Sequence, residues 1–144
     1  MSSRNVRDVI NGQTLVAAKT GMTVAATAAL MRDNKVGAML VLEGETLAGI
    51  FTERDALFRV VAAGVDIEKT DIAEVMTANP TTVGPDKSFD HALDLMHQGQ
   101  FRHLPVVEDE KLLGMVSSLD AMGPELEQFM YTVIVNEQKR DVVI

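Results

Sequence analysis

The sequence predicts an α/β fold of the α+β kind, in which two β-α-β-β-α repeats pack sheet to sheet with pseudo-twofold symmetry. Three observations predict it. The chain has 144 residues, enough for one ordinary domain or for two small halves that share a core. Residues 23–57 align without a gap on residues 88–122, with nine identical pairs. Helical and strand patterns also follow one another in the same order in both copies.

Each copy begins with an amphipathic helix. Apolar or small residues recur at positions i, i+3, i+4 and i+7, which places them on one face of a helix. They are Val24, Thr27, Ala28 and Met31 in the first copy, and Phe89, Ala92, Leu93 and Met96 in the second. Thr23 and Ser88 stand just before these runs, where a side-chain oxygen accepts hydrogen bonds from the first free N–H groups.

Short apolar runs without alternation follow each helix and predict strands buried on both faces. The four strands cover residues 38–42, 47–51, 104–107 and 112–116. Second helices begin at Thr52 and Ser117, directly after the returning strands.

Extended segments precede the first helices, and a linker joins the copies. The extended segments cover residues 14–17 and 81–83. The linker, at residues 62–78, contains a short helix at residues 71–76. A unit of this size with three strands is marginal alone, so we expect the two halves to depend on each other.

Composition and charge exclude several classes of protein. Lys and Arg number 13 against 21 Asp and Glu, and the formal charge of −8 argues against a general nucleic-acid binder. The absence of Cys excludes disulfides, thiolate metal sites and a Cys nucleophile. The sequence has no run of about 18 apolar residues that would span a membrane, and residues 1–8 lack the apolar stretch of a signal peptide. We therefore expect a cytoplasmic protein.

The end of each hairpin carries the strongest chemical signal. Residues 49–55 read GIFTERD and residues 114–120 read GMVSSLD, so both hold a hydroxyl residue followed three positions later by an Asp. One interpretation is a helix N-cap stabilised by the hydroxyl and the acid. The other is a ligand site, in which the helix start and hydroxyl hold a phosphate and the Asp accepts from ribose hydroxyls. The two interpretations are compatible, and the residues alone leave both open.

These motifs resemble a tandem CBS-domain pair, also called a Bateman module, over about residues 7–124. The further motifs that carry the resemblance are VMT at residues 75–77, NPTTV at residues 79–83 and RHLPVV at residues 102–107. The resemblance implies a regulatory module that binds an adenosine derivative between its repeats and signals to a partner protein in trans. Candidate ligands are AMP, ADP, ATP, NAD and S-adenosylmethionine, with AMP, ATP and NAD first, and Mg²⁺ would accompany ATP. The alternative is a structural or interaction module with vestigial clefts.

Carried over position by position, the resemblance assigns ligand contacts to both repeats. The aspartates would bind the ribose, and the hydroxyl and basic residues would bind the phosphate. Residues 82–83 would contact the adenine, and residues 16–17 and 19–20 are further candidates for that contact. The implied site residues are Thr52, Arg54, Asp55, Thr82, Val83, Arg102, His103, Ser117 and Asp120. The copies differ, because Leu119 stands where the first copy has Arg54, and residues 37–38 are Gly-Ala where the second has Arg-His. We therefore expect unequal clefts.

We divide the chain into repeat 1 with an N-terminal helix (residues 1–64), repeat 2 (residues 65–123) and a C-terminal helix or tail (residues 124–144). Apolar spacing at residues 126–133 and the apolar end predict a docking surface, on this domain or on another subunit. The resemblance implies a homodimer. No hydrolase elbow, zinc spacing or Walker-type loop occurs, so we expect neither catalysis nor a metal site. His91 and His97 are six positions apart, do not share a helix face, and are expected to face solvent.

Overall fold

The computed structural model describes residues 4–121 and, beyond them, Thr132 and Val135. The helices are α1 (Val6–Ile10), α2 (Val24–Asn34), α3 (Glu53–Asp55) and α4 (Phe89–Gly99). The strands are β1 (Ala17–Lys19), β2 (Ala38–Glu43), β3 (Thr46–Thr52), β4 (Thr77–Ala78), β5 (His103–Glu108) and β6 (Lys111–Ser117). A π-helix over Ala56–Val61 continues α3, and 3-10 turns lie at Ile72–Glu74 and Ser118–Ala121. Apart from Thr132 and Val135, the predictions for residues 124–144 lie outside the described part of the chain.

Both long helices begin at the residues that the sequence predicts. Thr23 Oγ1 accepts a hydrogen bond from the Ala26 N–H at 3.1 Å. Ser88 Oγ accepts one from the His91 N–H, also at 3.1 Å. Each cap satisfies a backbone donor that has no partner inside the helix, which explains why a hydroxyl residue stands at both positions.

The buried faces of the two helices differ at one predicted position. Helix α2 buries Val24, Thr27 and Met31, whereas Ala28 is exposed, so the prediction for Ala28 was wrong. The matching Leu93 of α4 is half-buried and packs on the core. The position lies at the flank of the buried stripe, where a long side chain reaches the core and a methyl group does not.

Strands β1, β2 and β3 of repeat 1 form a four-stranded sheet with β4 of the linker, in the order β1-β2-β3-β4, with β1 parallel to β2 and the other neighbours antiparallel. In the second repeat β5 and β6 form an antiparallel pair. The strand expected at residues 14–17 is displaced to Ala17–Lys19, because Leu15 and Val16 are exposed and pairing begins next to the buried Ala18. The segment at residues 81–83 meets β5 through the isolated parallel bridge between Val83 and Val106.

The two sheets pack against each other, which confirms the predicted sheet-to-sheet arrangement. Buried Ala38, Leu40 and Ile50 of the first sheet share an apolar cluster with Leu112 of the second. Burial of these side chains removes apolar surface that either sheet alone would leave in water. Among the helices of residues 4–121, none has the length and apolar character needed to cross a membrane.

The short segments that precede the two repeats are exchanged between their cores. Helix α1 lies at the N-terminal end of repeat 1, before the first aligned copy, but Val6 and Ile10 lie in the buried cluster of repeat 2. Ile72 and Val75 lie in the linker, before the second aligned copy, but belong to the buried cluster of repeat 1. Each half therefore completes its core with a segment from outside its own consecutive sequence, and this exchange ties the halves together.

The same two segments also form backbone hydrogen bonds with the starts of the long helices of the opposite repeats. The N–H of Phe89, at the start of α4, donates to Arg4 O at 2.7 Å. The N–H of Val24, at the start of α2, donates to Thr70 O at 2.9 Å. The chain before one repeat thus satisfies a free helix donor in the other repeat.

Candidate functional site

A cavity of about 860 Å³ lies where β3 and α3 of repeat 1 face the entry of β5 in repeat 2. Repeat 1 lines it with Thr52, Glu53, Arg54, Asp55 and Arg59, among others. Repeat 2 contributes Gln100, Phe101, Arg102 and His103. The end of the linker contributes Thr77, and the chain that follows it contributes Asn79, Pro80 and Thr81. The volume lies within the range of small-molecule sites in proteins. Both repeats and the linker therefore build one site.

The start of α3 forms the floor of the cavity and is fixed by a capping box. Thr52 Oγ1 accepts from the Asp55 N–H at 3.2 Å, and Asp55 Oδ2 accepts from the Thr52 N–H at 3.1 Å. The N–H of Glu53 donates to Gly37 O at 3.0 Å, which ties the turn to the entry of β2. The capping interpretation of this motif is thereby confirmed.

The carboxylate of Asp55 is buried and held from further sides. The residue is 8% exposed. Thr77 Oγ1 donates to it at 3.3 Å, and the Arg59 Nε lies 3.6 Å from Oδ1. Arg59 Nη1 in turn donates to Met76 O at 2.7 Å. The carboxylate therefore has a fixed orientation at the cavity wall, and its oxygens retain lone pairs beyond these contacts.

Positive side chains outnumber acidic ones at the cavity. Arg54, Arg59 and Arg102 line it together with Glu53 and Asp55. Arg59 is paired with Asp55, whereas Arg54 and Arg102 are exposed and come from different repeats. The chain as a whole carries a formal charge of −8, so this local excess of cations marks the cavity as a place for an anionic group.

His103 lies at the entry of β5, where it pairs with Ser117 of β6 and also lines the cavity. Burial lowers the pKa of its imidazole, and the positive charge of Arg102 lowers it further. The negative charges of Glu53 and Asp120 act in the opposite direction and raise the pKa of the imidazole. Desolvation is the largest of these effects and favours the neutral ring.

The remaining sequence-predicted residues do not line this cavity. Thr82 is exposed, and Val83 is buried in the core of repeat 2, while their neighbour Thr81 lines the cavity instead. Ser117 and Asp120 form the matching turn of repeat 2, where the Ser117 N–H donates to Asp120 Oδ2 at 2.8 Å. The cavity therefore brings together five of the nine predicted residues: Thr52, Arg54, Asp55, Arg102 and His103.

The earlier adenine candidates of repeat 1 are placed on or next to β1 and do not line the cavity. Val16 and Lys19 are exposed, and Ala17 and Thr20 are half-buried. Their positions match residues 81–85 of the second copy, where Thr81 lines the cavity.

Among the described residues, the aspartate of the turn in repeat 2 has fewer side-chain contacts than Asp55 has. Gly12 stands at the position that matches Thr77, so no hydroxyl is available there. Within the described residues, the side chain of Asp120 accepts the Ser117 N–H, and its backbone carbonyl accepts from Arg4 Nη2 at 2.8 Å. The two turns are thus alike in sequence but different in their surroundings.

Sequence reasoning missed several residues that line the cavity. Arg59 and Thr77 were not singled out, although each contacts Asp55. Phe101 and Gln100 precede the predicted Arg102 and His103, and their proximity in sequence is a signal that would have included them. Asn79, the first residue of the NPTTV motif, has φ 49° and lies at the cavity.

Comparisons with known proteins agree with this architecture. The family model described as "CBS domain" matches residues 6–62 and 72–123. CBS domain-containing protein YhcV of Bacillus subtilis is 34% identical over 113 residues, which cover 78% of this chain and 79% of that protein. The CBS domain-containing protein CBSCBSPB3 of Arabidopsis thaliana is 38% identical over 96 residues, covering 67% of this chain but only 17% of that longer protein.

Solved structures give the same result for the fold. The CBS-domain containing protein ATU1752 from Agrobacterium tumefaciens superposes with a TM-score of 0.74 at 28% sequence identity. The match covers 81% of this chain and 94% of that chain. Two matches to one family model, a close relative of similar length and a shared fold lead to one conclusion: the chain belongs to the CBS domain family, as a tandem pair.

Proposed function

We propose that the chain is a regulatory module that binds a phosphorylated adenosine derivative in the cavity between its repeats and signals to a partner protein in trans. The observation that carries the proposal is the convergence of Thr52, Arg54 and Asp55 from repeat 1 with Arg102 and His103 from repeat 2. A ligand that contacts both repeats binds one relative arrangement of them better than others, and it shifts the population toward that arrangement.

The charges of the cavity support a ligand with phosphate groups. Arg54 and Arg102 are exposed guanidinium groups on opposite repeats, suited to hydrogen-bond phosphate oxygens. AMP, ADP, ATP and NAD carry such groups, whereas S-adenosylmethionine carries a sulfonium cation. A CBS domain pair of similar fold, 24% identical, was crystallised with 5′-methylthioadenosine and S-adenosyl-L-methionine, so the fold accommodates adenosine derivatives. With ATP, Mg²⁺ would be bound mainly by the phosphates, as is usual for this ion.

A second candidate is an interaction module whose clefts are vestigial. The capping box and the contacts from Thr77 and Arg59 already engage the Asp55 carboxylate. These contacts explain the residue without any ligand. The two candidates differ in one measurable property, which is the affinity for adenosine derivatives.

We further propose that the chain forms a homodimer through the π-helix. Leu57, Phe58 and Val61, here called the apolar patch, are 54%, 57% and 70% exposed. Exposed large apolar side chains that cluster on one helix commonly mark a protein interface. A second copy would supply an equally apolar surface across a twofold axis.

A melting experiment separates ligand sensing from a vestigial cleft. Protein freed of carried-over ligand is heated with AMP, ADP, ATP with and without Mg²⁺, NAD or S-adenosylmethionine. A ligand at 100 times its Kd adds about 2.7 kcal/mol to the free energy of unfolding, which raises Tm by several degrees. We expect the phosphorylated compounds to raise Tm and S-adenosylmethionine to have less effect. An unchanged Tm with every compound would refute ligand sensing.

Matched arginine variants show where the ligand binds. Arg102→Gln removes a cation that lines the cavity, and we expect it to abolish most of the ligand-induced rise in Tm. Arg32→Gln is the control, because Arg32 is an exposed arginine on α2 that pairs with the adjacent Asp33 at 3.0 Å. Equal loss in both variants would point to a nonspecific charge effect instead. Incubation followed by chromatography of the nucleotide tests for turnover, which this proposal does not predict.

A further inference from the structure

Arg59 joins three parts of the candidate site that are distant in sequence. Its Nη1 donates to Met76 O at 2.7 Å, just before β4. Its Nε lies 3.6 Å from Asp55 Oδ1, one helical turn earlier in the same helical segment. The side chain also lines the cavity. A planar guanidinium anchored at a backbone carbonyl has little freedom to turn, so it holds the neighbouring carboxylate in place.

Thr77 completes the support of the same carboxylate from β4. Its Oγ1 donates to Asp55 at 3.3 Å from Oδ1 and 3.5 Å from Oδ2. The Thr52 N–H contacts Oδ2 from the opposite side. Asp55 is therefore held by the helix start, by the linker strand and by the π-helix. These donors fix the plane of the carboxylate at the cavity wall and leave acceptor capacity for hydroxyl groups.

Repeat 2 offers the comparison within the same chain. Asp120 follows Ser117 with the same spacing as Asp55 follows Thr52. The positions that match Thr77 and Arg59 hold Gly12 and Pro124, neither of which has a side-chain donor. Among described residues the Asp120 carboxylate accepts from the Ser117 N–H. The motif is thus present twice, and among the described residues the additional contacts to its aspartate occur in the first copy.

We infer that Arg59, with Thr77, positions Asp55 for the ribose contact that the family motif implies, so that discrimination of the ribose hydroxyls depends on two residues outside residues 49–55. This inference rests on the proposed nucleotide binding and adds a residue that the motif does not contain. Arg59 acts through Asp55 and makes no bond to the sugar itself. Hydrogen bonds to a fixed, charged acceptor are worth more than those to a mobile one, because less orientational freedom is lost on binding.

The test compares AMP with 2′,3′-dideoxy-AMP, which differ only in the two ribose hydroxyls. We expect the wild-type protein to bind AMP at least about tenfold more tightly, since hydrogen bonds to charged groups contribute that much. Arg59→Gln should reduce the affinity for AMP about tenfold and that for 2′,3′-dideoxy-AMP less than about twofold, so the preference collapses. Thr77→Val, which removes the hydroxyl but keeps the shape, should reduce the preference in the same direction.

Arg54→Gln is the matched control, because Arg54 also lines the cavity but lies over the ring of Phe58 and is not among the described donors to the Asp55 carboxylate. It should weaken both nucleotides by a similar factor and leave their ratio unchanged. The inference is overturned if Arg59→Gln weakens both nucleotides equally or changes neither. Both residues would have a purely structural role if two results were found together. Arg59→Gln would weaken the binding of both nucleotides equally and lower Tm strongly, and Thr77→Val would leave the preference for AMP over 2′,3′-dideoxy-AMP unchanged. Absence of AMP binding by the wild-type protein would instead refute the proposed function, and this inference with it.

Discussion

The guanidinium carbon of Arg54 lies 5.6 Å from the centroid of the Phe58 ring. Arg54 lines the cavity, whereas Phe58 belongs to the apolar patch on the outer side of the π-helix. A cation over an aromatic ring at an exposed site is stabilised by about 0.5–1 kcal/mol. The contact therefore connects the candidate ligand site with the candidate dimer surface over a single helical turn.

Phe58→Ser tests whether the apolar patch is a dimer surface. The change removes an aromatic side chain that is 57% exposed in the single chain, so it should weaken dimerisation without creating a cavity in the core. Light scattering after gel filtration should show a shift from dimer to monomer at micromolar concentration. Ile67→Ser is the control, since Ile67 is 42% exposed on the linker and lies outside the patch. Equal molar masses for wild type and Phe58→Ser would contradict the proposed interface.

Val6→Ala tests the exchange of segments between the cores. Val6 is fully buried in the cluster of repeat 2, so loss of two methyl groups should lower the free energy of unfolding by about 2 kcal/mol. Amide exchange should become faster in β5 and β6 than in β2 and β3. Ile72→Ala is the reciprocal variant, because Ile72 is buried in the cluster of repeat 1, and it should loosen β2 and β3 first. Faster exchange of repeat 1 in Val6→Ala would refute the exchange.

Gly49→Ala and Gly114→Ala occupy matching positions and should differ in cost. A Cβ at Gly49 would lie 2.7 Å from the backbone oxygen of Thr77, which cannot swing aside. A Cβ at Gly114 would lie 2.6 Å from Oε1 of Gln13, the far end of a flexible side chain. We expect Gly49→Ala to lower the free energy of unfolding by about 1–3 kcal/mol and Gly114→Ala to cost less. Urea unfolding measures both, and the reverse order would contradict the described packing of β4 on β3.

The half-buried imidazole of His103 predicts a pH dependence of stability. Desolvation lowers its pKa in the folded state below the usual value of about 6.5, so the unfolded chain binds a proton that the folded chain does not. The free energy of unfolding should fall as the pH drops below about 6.5, and this contribution should level off below the lowered pKa. His103→Gln should remove this part of the profile, while His97→Gln, with an exposed ring on α4, should retain it. Identical profiles for wild type and His103→Gln would contradict the assignment.

The sequence predicts features that depend on neighbouring residues better than those that depend on the assembled fold. Thr23 and Ser88 were predicted as helix caps because the donor and acceptor lie within three positions of each other. The duplication predicted both hairpins and their packing. The placement of Val6 in the core of repeat 2 carries no such local signal, because an apolar helix face does not specify which core covers it.

The candidate site also combines features that local spacing predicts with features that depend on the assembled fold. The Thr52 and Asp55 capping box follows from their spacing, and the structure contains it. Arg59 lies four positions after Asp55, a local helical spacing that the sequence analysis overlooked, whereas Thr77 lies 22 positions away and its contact depends on how β4 pairs with β3. Thr82, predicted at the adenine contact, is exposed, while the adjacent Thr81 lines the cavity. A shift of one residue in an extended segment reverses the direction of its side chains, and periodicity does not fix that register.

A calorimetric titration with AMP tests the central claim, which is that one adenosine nucleotide binds between the repeats. We predict one site per chain, a Kd raised at least about tenfold by Arg102→Gln, and a Kd within about twofold of wild type in Asp120→Asn. Arg102 lines the cavity from repeat 2, whereas Asp120 belongs to the turn outside it. Two equivalent sites per chain, or a larger loss of affinity in Asp120→Asn than in Arg102→Gln, would contradict the account.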